Sequence, residues 1–424
     1  MNIAIIGAGY VGLVTAGGLA SLGHRVSVGE ANPDRVEALR RGEVPIYEQG
    51  LAELLHRATE RDLISYHTSN PEAVRAARFV FLCLPTPDGG DGRADLRYID
   101  GVIEELAIEV DEDTLFVIKS TVPPGTTSSI RKRLADLGSP ARVVSHPEFL
   151  REGRAVDDFL EPDRLVVGAF EASDADAVAG LYHSIDTTVV KTDPTSAEMI
   201  KYASNSYLAA RLTFVNTLAN VCEAVGADVM DVITGMGLDH RIGHHFLQPG
   251  PGYGGSCFPK DTIALIGVAE DAGYDFELLR SVIRADDEQR RRVADKVRQA
   301  AGGGLRGRRV AMWGIAFKAG TDDIRESPAL RIAALLQQDG AEVVAYDPEA
   351  SSELVRMASD PISAVKEADV LLITTEWPEF STVDMNQVAK ALKGHRVVDA
   401  RNVLDPAAVR AAGLDYWGLG RPGV

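Results

Sequence analysis

The sequence contains few cysteines and no long apolar run. Three widely spaced cysteines in 424 residues provide neither a disulfide framework nor a CxxC pair for zinc, which is typical of a reducing compartment. No stretch approaches the ~18 apolar residues of a membrane span, and the first residues form a strand pattern without a basic leader region. These absences predict a cytoplasmic protein that does not enter a membrane.

Positive charge is also scarce. The chain has 44 Lys and Arg against 62 Asp and Glu, a net charge of −18, which argues against a nucleic-acid or anionic-membrane surface. Any phosphate must therefore be bound by local features. The one dense basic run, RRR at 290–292, follows DDEQ on a helical pattern, and we interpret it as a solvated, salt-bridged helix face.

The first 30 residues follow the order strand, glycine turn, helix, strand. Gly7, Gly9 and Gly12 have GxGxxG spacing, and Glu30 ends the second apolar run. In this context the glycines permit a tight turn and close approach of a pyrophosphate, while the acidic residue binds ribose hydroxyls. The pattern predicts an NAD-binding domain. Glu30 disfavours the 2′-phosphate of NADP, although Arg35 is an alternative acceptor for that phosphate.

Apolar runs alternate with helical patterns in two parts of the chain, as doubly wound sheets require. Beyond the first unit of the pattern, the predicted strands are FVFLCLP, TLFVIKST, RVVSHPEF and RLVVGAF, then RRVAMWGIAF, AEVVAYDP, VLLITTEW and HRVVDAR. The sequence therefore predicts an α/β fold with two Rossmann-like doubly wound domains, one for the cofactor and one for the substrate.

A different pattern separates these two parts. TSAE, from Thr195 to Glu198, is a capping-box signature, and the following MIKYASNSYLAARLTFVNTLANVCEAVG predicts about eight helical turns, apolar on nearly every face. Such a helix must be buried on all sides, between domains or between subunits, and we predict a homodimer. The predicted domains are 1–195, which binds NAD, 196–300, which is central, helical and dimerising, and 301–424, which binds the substrate.

Residues 250–261, GPGYGGSCFPKD, place one cysteine in a glycine-rich loop, whereas Cys83 and Cys222 stand in apolar runs. Beside an NAD domain, a loop thiolate can capture the aldehyde made by a first hydride removal. A second hydride removal then gives a thioester, which water releases as a carboxylate. Cys257 is thus the candidate nucleophile of a four-electron oxidation. The alternative is a small residue in a tight turn.

Polar residues accompany this cysteine. Lys260 and Asp261 follow it, and a helix beginning after the loop would put Asp261 one turn from Cys257. A nearby cation favours a thiolate, and a carboxylate can activate water. Lys201 and Asn205 share one face of the long helix at i,i+4 spacing. Such a donor pair can stabilise an alkoxide or oxyanion, unless it makes only interhelical hydrogen bonds.

Two further clusters of polar residues stand elsewhere in the sequence. Glu148 and Glu152 in HPEFLREG repeat the i,i+4 spacing and are candidates for general acid or base chemistry. His240, His244 and His245 have no carboxylate or cysteine beside them at zinc-ligand spacing, and adjacent histidines on regular backbone point apart. The sequence therefore predicts no metal site.

These features resemble the UDP-glucose/GDP-mannose dehydrogenase family, and within it the UDP-glucose 6-dehydrogenase branch, over essentially the whole chain. The resemblance is carried by GAGYVG at 7–12, STVPPGT at 120–126, HPEFLREG, EMIKYASNSYLA, RIGHHFLQPGPGYGGSCFPKD, and AFKAGTDDIRES at 316–327. It implies NAD-dependent oxidation of UDP-glucose to UDP-glucuronate through a cysteine thiohemiacetal and thioester. GGSC and PKD are shared with GDP-mannose dehydrogenases, so GDP-mannose or another nucleotide sugar stays an alternative substrate. Glu30 stands where many relatives have aspartate, and its longer side chain retains the carboxylate that accepts hydrogen bonds from the ribose.

The resemblance also implies residue roles. The catalytic set is the nucleophile Cys257 with Lys201, Asn205, Asp261, Glu152, Glu148 and Thr121. The cofactor set is Gly7, Gly9, Gly12, Tyr10, Val11, Glu30, Arg35, Thr86, Thr121, Glu152 and Arg325. The substrate set is Glu148, Phe149, Leu150, Arg151, Lys201, Asn205, Tyr253, Gly254, Phe317 and Lys318, with Arg241 supplied by the partner subunit and the UDP portion held by the last domain.

Two other classes of protein compete with this interpretation. A two-electron hydroxyacid-type dehydrogenase would share the first domain and the helical spine but needs no cysteine. A non-catalytic NAD-binding protein would keep the glycines but has no reason to combine Lys201, Asn205, Cys257 and Asp261.

Overall fold

The computed structural model describes residues 1–422 and divides the chain into two compact units. The first unit comprises Met1–Ser204 and Ile263–Gly273. The second comprises Asn205–Thr262 and the chain from Tyr274 to the end of the described residues. No helix within residues 1–422 has the length and apolar character needed to cross a membrane. The division into three functional domains and the cytoplasmic location stay predictions.

The first unit contains a sheet with the strand order β3-β2-β1-β4-β5-β6-β7-β8. Its strands are β1 (Asn2–Ile6), β2 (Arg25–Gly29), β3 (Ile64–His67), β4 (Phe79–Leu82), β5 (Leu115–Ile118), β6 (Arg142–Ser145), β7 (Arg164–Gly168) and β8 (Thr188–Thr192). Strands β1 to β6 run parallel, β7 is antiparallel to β6, and β8 is parallel to β7. The first six follow the Rossmann order, in which ligands bind at the carboxyl edge.

Helices cover both faces of this sheet. They are α1 (Tyr10–Ser21), α2 (Pro33–Arg40), α3 (Leu51–Glu60), α4 (Asn70–Val74), α5 (Arg97–Leu106), α6 (Thr126–Asp136), α7 (Ala155–Leu160) and α8 (Ala172–Ala179), followed by a 3-10 turn at Gly180–Tyr182. In β1, Ile3 and Ile5 belong to one apolar core, while Ala4 and Ile6 belong to the core on the opposite face. This alternation follows the two-residue period of a strand and explains the continuous apolar runs of the sequence.

Four helices follow in the middle of the chain: α9 (Pro194–Val225), α10 (Val229–Gly237), α11 (Phe258–Asp271) and α12 (Glu277–Ala300). The start of α9 differs from the capping-box prediction. The carboxylate of Asp193 accepts a hydrogen bond of 2.9 Å from the N–H of Ser196, so Asp193 is the cap and Pro194 takes the favoured first position. Thr195 already lies inside the helix, and Glu198 bonds elsewhere.

A single chain does not enclose α9 on all sides, and its predicted burial between subunits stays a prediction. Lys201 and Asn205 are buried, but Tyr207, Phe214 and Val221 are 66%, 58% and 52% exposed. These three residues recur every seven positions and therefore form one stripe along the helix. One apolar face of α9 is thus left uncovered by its own chain.

The second unit contains a parallel sheet with the order β11-β10-β9-β12-β13-β14. Its strands are β9 (Arg309–Trp313), β10 (Glu342–Tyr346), β11 (Arg356–Met357), β12 (Val370–Ile373), β13 (Arg396–Asp399) and β14 (Asp415–Gly418). Its helices are α13 (Pro328–Gln338), α14 (Pro361–Val365), α15 (Pro378–Thr382), α16 (Met385–Ala391) and α17 (Pro406–Ala411). This is again the Rossmann order. The prediction of two Rossmann-like sheets with a long helix between them in the sequence is confirmed.

The basic run on α12 is only partly a solvated face. The side chains of Arg291 and Arg292 are 66% and 55% exposed and pair with Glu288. Arg290 is buried instead, in an ion pair with Asp286. The interpretation of the run as exposed was therefore wrong for Arg290.

Candidate active site

The glycine turn of the first unit joins β1 to α1 at the carboxyl edge of the sheet. Gly7 has a φ of 102°, in the left-handed region, and a Cβ there would lie 2.6 Å from the carbonyl oxygen of Cys83. A Cβ on Gly9 would meet no atom within 4 Å, and the first turn of α1 has no acidic side chain. An open glycine in front of an uncompensated helix N-terminus fits a pyrophosphate.

Glu30 follows β2 and reaches back to this turn. Its carboxylate accepts hydrogen bonds from the N–H of Ala8 at 3.1 Å and of Asn32 at 2.9 Å, and Arg35 lies 3.4 Å from it. A carboxylate at this point has the position and the chemistry to accept from ribose hydroxyls. The turn and Glu30 together fit an adenine dinucleotide.

Sequence reasoning missed Glu48, which ties this turn to the segment that carries Glu152. The buried carboxylate of Glu48 accepts from the hydroxyl of Tyr10, from the N–H of Gly153 at 2.6 Å and from the N–H of Ala155 at 2.7 Å. Burial and the Glu48 contact raise the pKa of Tyr10 above its usual range. Nothing in IYEQGL distinguishes this glutamate from a surface residue, so no sequence signal could have found it.

The next two strands also place polar residues at the carboxyl edge. The hydroxyl of Thr86, after β4, donates to the carbonyl of Thr121, after β5, at 2.9 Å. Lys119 directly follows β5 and is buried, and burial lowers its pKa to about 8, although Glu148 and Cys83 favour its charge. Sequence reasoning missed Lys119, and a lysine closing an otherwise apolar strand was the available signal.

Glu148, two residues after the histidine that follows β6, forms a buried ion pair with Lys201 of α9. The Lys201 ammonium lies 2.7 Å from the carboxylate, which also accepts from the N–H of Leu150 at 2.6 Å. Burial raises the pKa of Glu148, but Lys201, this hydrogen bond and Lys119 outweigh it, so the pKa lies below the usual value. A charged donor is therefore held rigidly at the carboxyl edge.

The segment around Glu148 is irregular rather than helical. Residues 146–151 have no regular secondary structure, so the i,i+4 spacing of Glu148 and Glu152 does not put them on one helix face. Phe149 is half-buried beneath the guanidinium of Arg164, which lies 3.6 Å from its ring centroid. Arg151 pairs with Asp158.

In the second unit, a polar chain leads from α9 to α11. The amide of Asn205 donates to Asp261 at 2.6 Å, and the ammonium of Lys260 donates to the other oxygen of Asp261, also at 2.6 Å. Asp261 is fully buried, and its N–H donates to the carbonyl of Cys257 at 2.9 Å. The predicted one-turn separation of Asp261 from Cys257 is therefore present. Cys257 directly precedes α11, where the helix N-terminus favours an anion.

The glycines before this cysteine lie against the loop after β9. Gly255 has a φ of 82°, and a Cβ there would lie 2.9 Å from the ring of Phe317. Its N–H donates to the carbonyl of Arg325 at 3.0 Å. A Cβ on Gly254 would lie 2.5 Å from the carbonyl of Glu326. The absence of side chains is thus what allows these two loops to touch.

Sequence reasoning also missed Arg401, which follows β13. Its guanidinium donates to the carbonyls of Thr374 at 3.0 Å and Phe317 at 3.1 Å, and it lies against Gly250. Lys318 follows Phe317 in the same loop. Arg241 stands apart from this group: its side chain is 78% exposed and pairs with Asp239.

Fold and site together define a dinucleotide-dependent dehydrogenase. The sequence matches three models of the UDP-glucose/GDP-mannose dehydrogenase family: the NAD binding domain over residues 1–186, the central domain over 195–288 and the UDP binding domain over 311–406. The chain belongs to this family, its cofactor is NAD, and the resemblance drawn from the sequence motifs is confirmed.

Named relatives resemble the chain over its full length. It is 40% identical to the UDP-glucose 6-dehydrogenase of Rhizobium meliloti, with all of both chains covered, and 40% identical to the UDP-glucose 6-dehydrogenase TuaD of Bacillus subtilis, covering all of this chain and 94% of the relative. The structure of a UDP-glucose dehydrogenase from Pyrobaculum islandicum matches with a TM-score of 0.92 at 38% identity, covering 99% of this chain and 98% of the other. A GDP-mannose dehydrogenase from Pseudomonas aeruginosa matches with a TM-score of 0.56 at 29% identity, covering 99% and 100%.

Proposed function

We propose that this chain oxidises the C6 alcohol of UDP-glucose to the carboxylate of UDP-glucuronate, in two hydride transfers and one hydrolysis. Full-length relatives at 40% identity are UDP-glucose 6-dehydrogenases, and the family's UDP binding domain is present. The observation that carries the mechanism is the Asn205–Asp261 hydrogen bond, because it fixes an amide and a carboxylate one turn from a loop cysteine.

Lys201 and Asn205 lie on consecutive turns of α9 and act on the oxygen at C6. In the first oxidation the hydroxyl proton goes to a carboxylate, for which Glu148 and Glu152 are the candidates, and the Lys201 ammonium stabilises the developing alkoxide. Thr121 borders the same reacting carbon in this assignment. The glycine turn and Glu30 would hold NAD, which would supply the hydride acceptor, one NAD for each of the two oxidations.

Cys257 then carries the carbon through the second oxidation. Its thiolate adds to the aldehyde, forming the C–S bond of a thiohemiacetal, whose oxygen is held by Lys201 and Asn205. Loss of the second hydride from C6 gives the thioester. Water, deprotonated by Asp261 or one of the two glutamates, adds to the acyl carbon, the C–S bond breaks, and the carboxylate leaves as the thiolate is restored.

The remaining assigned residues bind rather than react. Phe149, Leu150, Arg151, Tyr253, Gly254, Phe317 and Lys318 are assigned to the nucleotide sugar. Tyr10, Val11, Arg35, Thr86 and Arg325 are assigned to NAD. The proposed protein partner is a second copy of this chain, because the exposed stripe of α9 is apolar and such patches mark contact sites. The exposed Arg241 is assigned to the partner's substrate.

The test is the stoichiometry of NADH formed per UDP-glucose consumed, for the intact protein, for Cys257→Ser and for the matched control Cys222→Ser. We expect two NADH per sugar for the intact protein and the control, and a stalled Cys257→Ser variant. One NADH per sugar with an unimpaired Cys257→Ser would instead indicate a two-electron dehydrogenase. Turnover of GDP-mannose but not of UDP-glucose would show that GDP-mannose is the substrate. NAD binding without turnover of any nucleotide sugar would indicate a non-catalytic protein.

A further inference from the structure

The loop before Cys257 is held at its first residue by two buried side chains. The N–H of Gly250 donates to the amide oxygen of Asn216, on α9, at 2.8 Å. The carbonyl of Gly250 accepts from the amide nitrogen of Gln289, on α12, at 2.9 Å. The N–H and the carbonyl of Gly250 are therefore both hydrogen-bonded to side chains rather than to backbone or solvent.

The same arrangement is repeated three residues later. The N–H of Tyr253 donates to the carboxylate of Asp286 at 2.9 Å, and the carbonyl of Tyr253 accepts from the guanidinium of Arg290 at 2.9 Å. Asp286 and Arg290 also pair with each other. The loop of residues 250–253 is thus fixed at each end, because the N–H and the carbonyl of its first and last residues are both hydrogen-bonded to side chains.

The side chains that bind the loop backbone lie in the protein interior. Asn216, Asp286, Gln289 and Arg290 are all buried, and Asn220 orients Gln289 through a hydrogen bond of 2.8 Å. Burial of a carboxylate and a guanidinium is costly unless both are paired and hydrogen-bonded, as they are here. The groups of this network that face the loop are all hydrogen-bonded, although the buried Nε of Arg290 has no partner among residues 1–422. Such a buried network makes a backbone rigid.

Packing leaves the loop little room to move. A Cβ on Gly252 would lie 2.9 Å from the carboxylate of Asp286, and one on Gly250 would lie 2.8 Å from the guanidinium of Arg401. Glycine at these positions lets the network approach the backbone closely. The peptide positions of the loop are consequently set by α9 and α12, not by the loop itself.

We infer that Asn216, Asp286, Gln289 and Arg290 form a loop clamp whose function is to position the thiol of Cys257. This inference deepens the proposed function and rests on it. The four side chains bond to backbone within the loop, so they are positioning residues and not catalytic ones. Cys257 lies four residues after Tyr253, and a displacement of a reacting group by about 1 Å can cost on the order of 100-fold in rate.

The primary test variant is Gln289→Met, which removes both hydrogen bonds of Gln289, keeps its length and leaves no buried charge. Arg290→Met is the second variant, with Arg290→Lys as the conservative rescue. Arg291→Met and Arg292→Met are matched controls, because they make the same change at exposed positions of the same helix. Circular dichroism and the urea unfolding midpoint report that each variant is folded, and NAD affinity reports that the first unit is unchanged.

Two quantities are measured on the full-length protein. One is kcat for complete oxidation of UDP-glucose, which we expect to fall about 10- to 100-fold in Gln289→Met and Arg290→Met, and less in Arg290→Lys. The other is the rate at which iodoacetamide modifies Cys257, compared by mass spectrometry with Cys83 and Cys222 in the same molecule. A displaced loop changes the rate at Cys257 alone, whereas general destabilisation would expose all three cysteines together.

The outcomes separate this inference from the proposed function. The proposed function fails if the intact protein does not form two NADH per UDP-glucose. The loop clamp fails if the intact protein passes that test and Gln289→Met keeps both its kcat and its Cys257 modification rate within about two-fold of the controls. Should Arg290→Met not fold, the uncharged Gln289→Met variant still decides the question.

Discussion

The Glu148 carboxylate shows how strongly a single residue of this site depends on its partner. It is buried, and it lies 2.7 Å from the equally buried ammonium of Lys201. Glu148→Gln would leave that ammonium without its anion, so we predict a loss of about 3–5 kcal/mol in the free energy of unfolding. Urea unfolding of the two proteins measures it. Catalysis should fall as well, because Lys201, the proposed donor at C6, loses its fixed position.

The stability loss should depend on pH in a defined direction. The pKa of Glu148 in the folded protein lies below the usual 4.5, since Lys201 outweighs the effect of burial. A lowered pKa means that the ionised group stabilises the fold above about pH 4.5 and that this contribution disappears as the pH falls through the lowered pKa. The difference between the two proteins should therefore shrink as the pH falls into the acid range.

Glu53→Gln is the matched control, because Glu53 forms an exposed pair with Arg57 on α3. Exposed pairs contribute about 0–1 kcal/mol, so this variant should unfold almost like the intact protein. A Glu148→Gln variant as stable as Glu53→Gln would contradict the role of a buried, energetically important pair.

At the scale of elements, Glu198 connects two helices. Its buried carboxylate, on α9, accepts from the N–H groups of Gly125 at 2.6 Å and Thr127 at 2.7 Å, and from the Thr127 hydroxyl at 2.6 Å. These donors belong to the N-terminus of α6, where a carboxylate is also favoured by the helix dipole. In sequence, Thr121 lies four residues before Gly125 and Lys201 three residues after Glu198, so both are close to this contact along the chain.

We predict that Glu198→Gln lowers the free energy of unfolding by about 1–3 kcal/mol, because an amide donor would face the donors of α6 and leave one unsatisfied. Thr195→Ala is the control. A capping box would make Thr195 worth about 1 kcal/mol, but Asp193 is the cap in the structure, so this variant should stay within ~0.5 kcal/mol of the intact protein. Equal losses in the two variants would contradict the structural assignment.

The sequence predicts the central strands of the two sheets but not their edge strands. The central strands were predicted because they are buried on both faces, as Phe79–Leu82 and Leu115–Ile118 are. The strands that the pattern missed, β3, β8, β11 and β14, are the edges of the two sheets. Edge strands are short and partly exposed, so they lack a continuous apolar run.

The candidate site divides in the same way. Cys257, Lys201 and the glycine turn could be predicted as site residues because each lies in a local motif. Glu48, Glu198 and Arg290 were missed or misassigned because their partners are distant in sequence, and only the folded chain identifies the backbone groups that they bind. A charged residue in a helical pattern looks exposed until its acceptor is known.

At the scale of the whole molecule, the exposed apolar stripe of α9 leads us to predict a dimer. Tyr207, Phe214 and Val221 repeat every seven residues, the spacing that lets one helix pack along another. A two-fold symmetric pair would bury this stripe against its own copy. We therefore predict a dimer of the intact chain in solution and a monomer for Phe214→Asp, measured by light scattering behind size exclusion.

Leu354→Asp is the matched control, since Leu354 is 69% exposed but lies outside α9. It should remain a dimer, because an isolated exposed leucine marks no interface. If Arg241 serves the partner's substrate, Phe214→Asp should also raise the KM for UDP-glucose. NAD affinity should stay unchanged, because the glycine turn and Glu30 both come from one chain and do not depend on the dimer. A Phe214→Asp protein that stays dimeric would place the contact elsewhere, and a monomer with an unchanged KM would remove Arg241 from the partner's site.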